Sequence, residues 1–160
     1  MAQDNFLKIN GIDGESQDKA HSKEIDVLSF SFGSTNSGTA HLGPGAGAGK
    51  VNVQDLSVTK YVDKASPNIM LACMQGKHID ECILTVRKAG ENPLEHTVIT
   101  MNECLVTSHA VTGHDASDRL QESVSINFGK IKFAYKPQKA DGTGDAEVTA
   151  TYNVAQNTKE

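Results

Sequence analysis

The chain has 160 residues, 38% apolar and 22% charged, which is enough for one globular domain over residues 1–160 with a well-buried core. Its formal charge of −5 and sequence pI near 5.6 argue against nucleic acid or an anionic membrane as the main partner, because such binding needs a basic face. The opening residues MAQDNFLKING lack a charged region followed by an apolar core, and no later apolar run approaches the about 20 residues needed to span a bilayer. The expectation is a protein that folds in the cytoplasm.

Period-two apolar runs bounded by Gly, Asp, Asn or Pro dominate, the pattern of an all-β domain. FLKI opens as a short strand and NGIDG closes it as a turn. In IDVLSFSFG, side-chain alternation sets Leu28, Phe30 and Phe32 on one face, expected to be core, and Ser29 and Ser31 on the other. Next comes HLGPGAGAGKVNVQD, with four glycines and a lysine ahead of a β-branched run. A phosphate-binding P-loop would need glycine where Pro44 stands and a hydroxyl where Val51 stands, so both anchors fail. A dinucleotide fingerprint fails too, because the glycines alternate and a strand rather than a helix follows. The stretch reads as a loop from about Gly33 to Lys50.

Apolar parity changes between Val53 and Leu56, and again between Phe128 and Ile131, which predicts two β-bulges, the second at Gly129. Further strands are ECILTVRK, the long EHTVITMNECLVTSHAV and AEVTATYNV. One segment differs: in DKASPNIMLACMQGK, Ser66 is a good N-cap, Pro67 suits the first helical position, and Gly76 suits the left-handed end, which predicts a helix from Ser66 to about Gln75. Ile69, Met70, Cys73 and Met74 form its apolar stripe, expected to pack inward. The long strand run carries apolar residues of both parities, Val98, Cys104 and Val106 against Ile99, Met101, Leu105 and Val111. Both its faces therefore call for cover, by the helix or by neighbouring subunits.

Signals of chemistry are weak. Cys73, Cys82 and Cys104 are odd in number and unevenly spaced, which fits reduced, buried thiols better than a disulfide framework; with His78 they do not make a zinc ligand set, so no metal is expected. Ser108, His109, His114, Asp115 and Asp118 supply hydrolase residue types without a nucleophile elbow, and residues 112–120 read as a polar hairpin connection. Asp80 and Glu81 are adjacent and point to opposite faces, so they mark a strand start rather than an acid/base pair. Lys60, Lys64, Arg87, Lys88, Lys130, Lys132 and Lys136 lack interleaved aromatics and read as solvated faces or subunit salt bridges. No catalytic residue and no cofactor is expected.

In this order and spacing, FLKINGIDGES, EIDVLSFSFG, GAGKVNVQDLSVTKYVDKASPNIMLACMQGKHI, LTVRKAG and ESVSINFGKIKFAYKPQ closely resemble the Hcp family. These haemolysin co-regulated proteins build the inner tube of bacterial type VI secretion systems. Two departures stand out: Phe30 and Phe32 occupy positions where many members carry tryptophan, and GHDASDRLQES is bulkier than the usual glycine-rich turn. The resemblance implies a mainly β chain, a compact antiparallel β-barrel with one short side helix, acting as a structural subunit rather than an enzyme. It further implies hexameric rings that stack into a tube, expelled under a spike protein when a contractile sheath fires from its baseplate, without a signal peptide, and small effectors carried in the lumen.

On that reading the serine parity places Ser29 and Ser31 on the lumen side. The glycine-rich stretch, with Gly43, Pro44, Gly45, Gly47, Gly49 and Lys50, becomes a ring-stacking loop. The competing classes are a stand-alone β-barrel binding a small ligand in its interior and a small hydrolase using His109 or His114.

Overall fold

The computed structural model describes residues 3–38, 41 and 50–160. Its elements in chain order are β1 (Gln3–Ile9), β2 (Ile25–Asp26), β3 (Ser29–Ser31), β4 (Ser34–Asn36), β5 (Val51–Val53), β6 (Leu56–Tyr61), α1 (Ser66–Gln75), β7 (His78–Lys88), β8 (Leu94–Thr112), β9 (Gln121–Tyr135), β10 (Val148–Asn153) and β11 (Thr158–Lys159). Antiparallel pairing gives the order β11-β10-β9-β8-β7-β1-β2, with β6 on the first half of β9 and β3 on β6.

One chain segment brings the two margins of this sheet together. Phe6 and Leu7 of β1 pair with Asp26 and Ile25, and the Val27 N–H still donates to the Asn5 carbonyl at 3.0 Å. The next residue changes partner: the Leu28 N–H donates to the Thr59 carbonyl of β6 at 2.8 Å, and β3 continues along β6. The expected barrel is thus not closed by a ladder: the two margins of the sheet are joined only by the chain that passes from β1 to β6. The handover also corrects the expected core face, because it leaves Leu28 45% exposed while Val27 is buried and Phe30 and Phe32 only lean on the core. The interior is filled by Leu7, Ile25, Leu56, Val58, Leu84, Ile99, Met101 and Ile126, which form one packed apolar core.

The parity change predicted at Gly129 is present, but it is not a bulge. Cys104 pairs with Phe128 and Asn102 with Lys130, so the register between β8 and β9 runs straight through. Opposed residues share a face. Ile79, Cys104 and Phe128 face the core on one side of this level, and Cys82, Met101 and Ile131 face it on the other, each strand skipping two residues. All three strands therefore reverse which parity looks inward along one line. Glu103 takes the left-handed conformation there (φ 56°) opposite Gly129, where an added Cβ would stand 3.2 Å from that of Glu103. The register shifts that do occur lie between Val86 and Arg87 and between Val106 and Ser108. This crease explains the mixed parity of β8: Ile99, Met101, Cys104 and Val106 belong to one core, leaving Val98, Leu105 and Val111 outside it.

The other expected bulge is a break between two strands, since β5 ends at Val53, pairs with β4 in a separate two-stranded sheet, and β6 begins at Leu56. Asp80 and Glu81 sit inside β7 at the crease, not at a strand start.

Helix α1 has the predicted limits. Pro67 stands in its first turn and Gly76 ends it at φ 61°, with the Lys77 N–H bonded to the Ala72 carbonyl at 3.0 Å. Ser66 is not its cap: Ala65 holds the N-cap position without a side-chain bond, and the Asp63 carboxylate accepts the Ala65 N–H at 3.0 Å. Ser66 is drawn inward instead. Ile69 and Ala72 are buried, whereas Met70 and Met74 face outward, so the expected apolar stripe is split between core and surface.

Candidate functional site

The outward face of β3-β6-β9-β8 follows from what the inward face buries. Leu56, Val58 and Lys60 of β6 and Glu122, Val124 and Ile126 of β9 point inside, so the residues between them point out. Register then aligns two rows across the strands, Ser29, Thr59, Ser123 and Ala110, and Ser31, Ser57, Ser125 and Ser108. All but Ala110 carry a small hydroxyl, and all are exposed or half-exposed. The Ser57 and Ser125 hydroxyls lie 3.3 Å apart. At one end of the rows the Asp55 carboxylate accepts hydrogen bonds from Thr107 Oγ1 at 2.6 Å and Asn127 Nδ2 at 2.8 Å. Neither of the two rows carries a charged side chain; the long cations nearby are Arg119, which stands over the Tyr61 ring, and Lys130 and Lys132 farther along β9.

Directly beneath it lies a polar cluster in the core. Lys60 and Glu122, register partners on β6 and β9, are both fully buried, with Lys60 Nζ 2.5 Å from Glu122 Oε1. The same ammonium donates to Asp63 at 2.9 Å and to Ser66 Oγ at 3.1 Å, Ser66 donates to Glu122 at 3.0 Å, and His109 Nε2 bonds the second Glu122 oxygen. Burial pushes the Glu122 carboxyl up, but Lys60, His109 and Ser66 outweigh it and hold the group below the usual carboxylate range. The cluster ties the start of α1 to the strands behind the hydroxyl face.

Lys60 and Arg87 thus correct the expectation of solvated cations. Arg87 bonds Asp4 at 2.9 Å and Asp18 at 2.6 Å and stands over the Phe6 ring, and its guanidinium holds the Asp18 carboxyl down at about 2. The other side of this assembly is His21, stacked on Phe6 at 4.5 Å and bonded to Glu24 at 2.8 Å and Glu95 at 2.5 Å. It fastens residues 13–24 over β1 and β8. Burial lowers its tendency to protonate, yet the two carboxylates overcome this and raise it above the ordinary imidazole value.

Stabilisation by a raised imidazole is complete below the unfolded value, about 6.5, and is lost as pH rises through the folded one. His21→Gln should therefore lower the melting temperature most near pH 6 and progressively less towards pH 9. A gap between wild type and variant that is flat across that range would remove His21 from this role.

The supposed hydrolase residues do not converge. His109 turns inward to Glu122, Ser108 turns outward, and His114, Asp115 and Asp118 lie exposed in the connection from β8 to β9. Cys82 and Cys104 are buried while Cys73 is only half-buried. The neighbouring Cys104, together with burial, pushes the Cys82 thiol up. No group of three or more His, Cys, Asp or Glu among the described residues is placed to hold a metal ion. Lys50 is exposed at the foot of β5, and Gly43, Pro44, Gly45, Gly47 and Gly49 lie outside the described residues. The loop expected from Gly33 begins later, because Ser34–Asn36 pairs with Val51–Val53.

A family profile described as "Type VI secretion system effector, Hcp" matches residues 6–135. The chain belongs to the Hcp family. It is 52% identical over 159 residues to the protein hcp1 of Pseudomonas aeruginosa, covering 98% of each chain. A solved structure described as that of a type six secretion system protein superposes with a TM-score of 0.93 at 28% identity, covering 99% of this chain and 100% of the other. Hcp1 from Salmonella typhimurium superposes at 0.81 with 35% identity and full coverage of both chains.

The mainly antiparallel β architecture with one short helix is that of these Hcp structures. As an Hcp protein, the chain is a secreted, structural tube protein of type VI secretion, a role that entails assembly into oligomeric rings. No helix among the described residues is long and apolar enough to cross a membrane.

Proposed function

We propose that six copies form a ring whose lumen is lined by the hydroxyl face, with Ser29 and Ser31 on the lumen wall. The rings stack through the segment that holds Gly43, Pro44, Gly45, Gly47, Gly49 and Lys50, and the stack is expelled by a contractile sheath from a baseplate, under a spike protein. Until then the subunits are held in the cytoplasm. Small secreted effectors ride in the lumen, and the chain carries out no catalysis and uses no cofactor.

The observation that carries this reading is the pair of hydroxyl rows. Small neutral hydroxyls each offer one donor and two acceptors without a long side chain to order or a fixed charge to trap a passenger. Such a wall holds a passenger by many weak contacts and releases it. Ser31→Glu and Ser29→Arg should therefore leave the ring intact in native mass spectrometry and reduce co-purification of a small effector. A chain that stays monomeric at micromolar concentration would overturn the ring, and unchanged effector retention in both variants would overturn the lumen assignment.

A further inference from the structure

We propose that Asp55 is where the hydroxyl wall takes hold of a passenger by charge, and that the passengers it prefers present lysine or arginine side chains there. The inference rests on the reading that this wall lines the lumen. The two rows are neutral, and neutral hydroxyls offer hydrogen bonds to any polar surface without choosing among them. Selection has to come from a group of fixed sign. Asp55 is the ionised group held at the edge of these rows.

The local fold builds it in. Leu56 pairs with Ile126, so the residue before it stands beside Asn127, whose Nδ2 donates to Asp55 Oδ1 at 2.8 Å. The register between β8 and β9 breaks between Val106 and Ser108, which leaves Thr107 without a partner on β9. A break of this kind re-aims a side chain. Here it brings the Thr107 hydroxyl to the other Asp55 oxygen at 2.6 Å. Each oxygen thus has one donor and room for another, since an ionised carboxylate offers about four acceptor sites. Asp55 takes part in no ion pair among the described residues. Two bonds hold the carboxylate still and no cation neutralises it, so an incoming ammonium or guanidinium gains a charge-assisted bond with little left to order.

The neighbouring charges agree in sign. Leu105 pairs with Asn127 and His78 with Leu105, and the His78 ring has the Glu103 and Asp80 carboxylates at 3.1 and 3.3 Å. Of the nearby cations, Lys130 pairs with Glu160, and Arg119, over Tyr61 at the far end of the wall, shares its concavity with Glu15, Asp26 and Asp63. A formal charge of −5 on each copy draws cationic partners towards the whole ring. At Asp55 that general attraction becomes a contact of fixed geometry, weak in one copy and additive over six.

The test is the fluorescence anisotropy of a labelled oligolysine peptide added to the assembled ring, with labelled oligoglutamate as the reference. Oligolysine should bind and oligoglutamate should not. Asp55→Asn keeps the shape of the side chain and should weaken oligolysine binding about tenfold at low salt, a difference that should vanish near ~0.5 M salt. Asp13→Asn removes the same charge from an exposed turn outside the wall and should weaken binding by about twofold at most. Asp55→Glu, which keeps the sign, should bind as wild type. Circular dichroism and native mass spectrometry check that each variant is folded and assembled. Equal losses in Asp55→Asn and Asp13→Asn, or a loss in neither, would overturn the anchor and leave the lumen reading in place. Unchanged effector retention in Ser29→Arg and Ser31→Glu would instead overturn the lumen reading, and this inference with it.

Discussion

Replacing Lys60 by methionine should destabilise the chain by about 3–5 kcal/mol, because it leaves the buried Glu122 carboxylate without its cation. The surroundings cannot substitute for it. Glu122 would keep the Ser66 hydroxyl and the His109 ring, while the Asp63 carboxylate, also paired to Lys60, would add like charge nearby. The double variant Lys60→Met with Glu122→Leu should recover most of the loss, since removing both members of a buried pair together is far less costly than removing one. Urea unfolding of the wild type, both single variants and the double variant measures the coupling. Additive losses would show that the pair is not coupled, and a single-variant loss below about 1 kcal/mol would place it at an exchangeable, solvated site. The cluster fastens α1 to β6 and β9, so the single variants should also loosen the start of the helix.

The sequence pattern made much of this arrangement readable, and the misreadings have physical causes. Alternation in Ser29–Ser31, in Leu56–Tyr61 and in Gln121–Phe128 is enough to place the hydroxyl-row side chains of β3, β6 and β9, but not Ser108 and Ala110, which follow the register shift in β8. The same alternation sets Lys60 in line with Leu56 and Val58, and Glu122 in line with Val124 and Ile126. There charge argues for solvent and parity for the core, and parity prevails because the two charges neutralise each other. A strand that continues its inward row with a lysine, opposite another that begins its inward row with a glutamate, is a signal for a buried ion pair that could have been found.

The change of partner at Val27 and Leu28 leaves no such mark, since which neighbour a strand pairs with depends on residues far away in sequence. The crease lies between these cases. A parity change is visible at Phe128 and Ile131, but its sharing by β7, β8 and β9 emerges only when the register is known, and with it the reason that Asp80, Glu81, Asn102 and Glu103 interrupt apolar strands at one level. Ser66 departs from the expected cap for a related reason: serine before a proline at a helix start matches a capping pattern, yet a buried carboxylate in reach competes for the same hydroxyl.

Replacing residues 43–49 by a two-residue Asn-Gly turn should spare the single ring and abolish both stacking and secretion. The ring survives because the segment's base is held by its own ladder: Ser34, Thr35 and Asn36 pair with Val53, Asn52 and Val51, and the residues left between Asn36 and Val51 are still more than a hairpin connection needs. Stacking fails because contact between rings is head-to-tail, needs a part of each subunit to reach the next ring, and does not close on itself, so a filament grows only while every ring supplies it. Fixing a glycine-rich segment in place costs roughly 1–2 kcal/mol per residue. Each stacking contact is then weak by itself, and six acting together hold where one would not, which suits a tube that must form and later fall apart. Electron microscopy of the purified shortened chain should show isolated rings, and the culture supernatant of a bacterium carrying it should lack the protein while the cytoplasm retains it. Secretion equal to wild type would show that stacking runs through other surfaces.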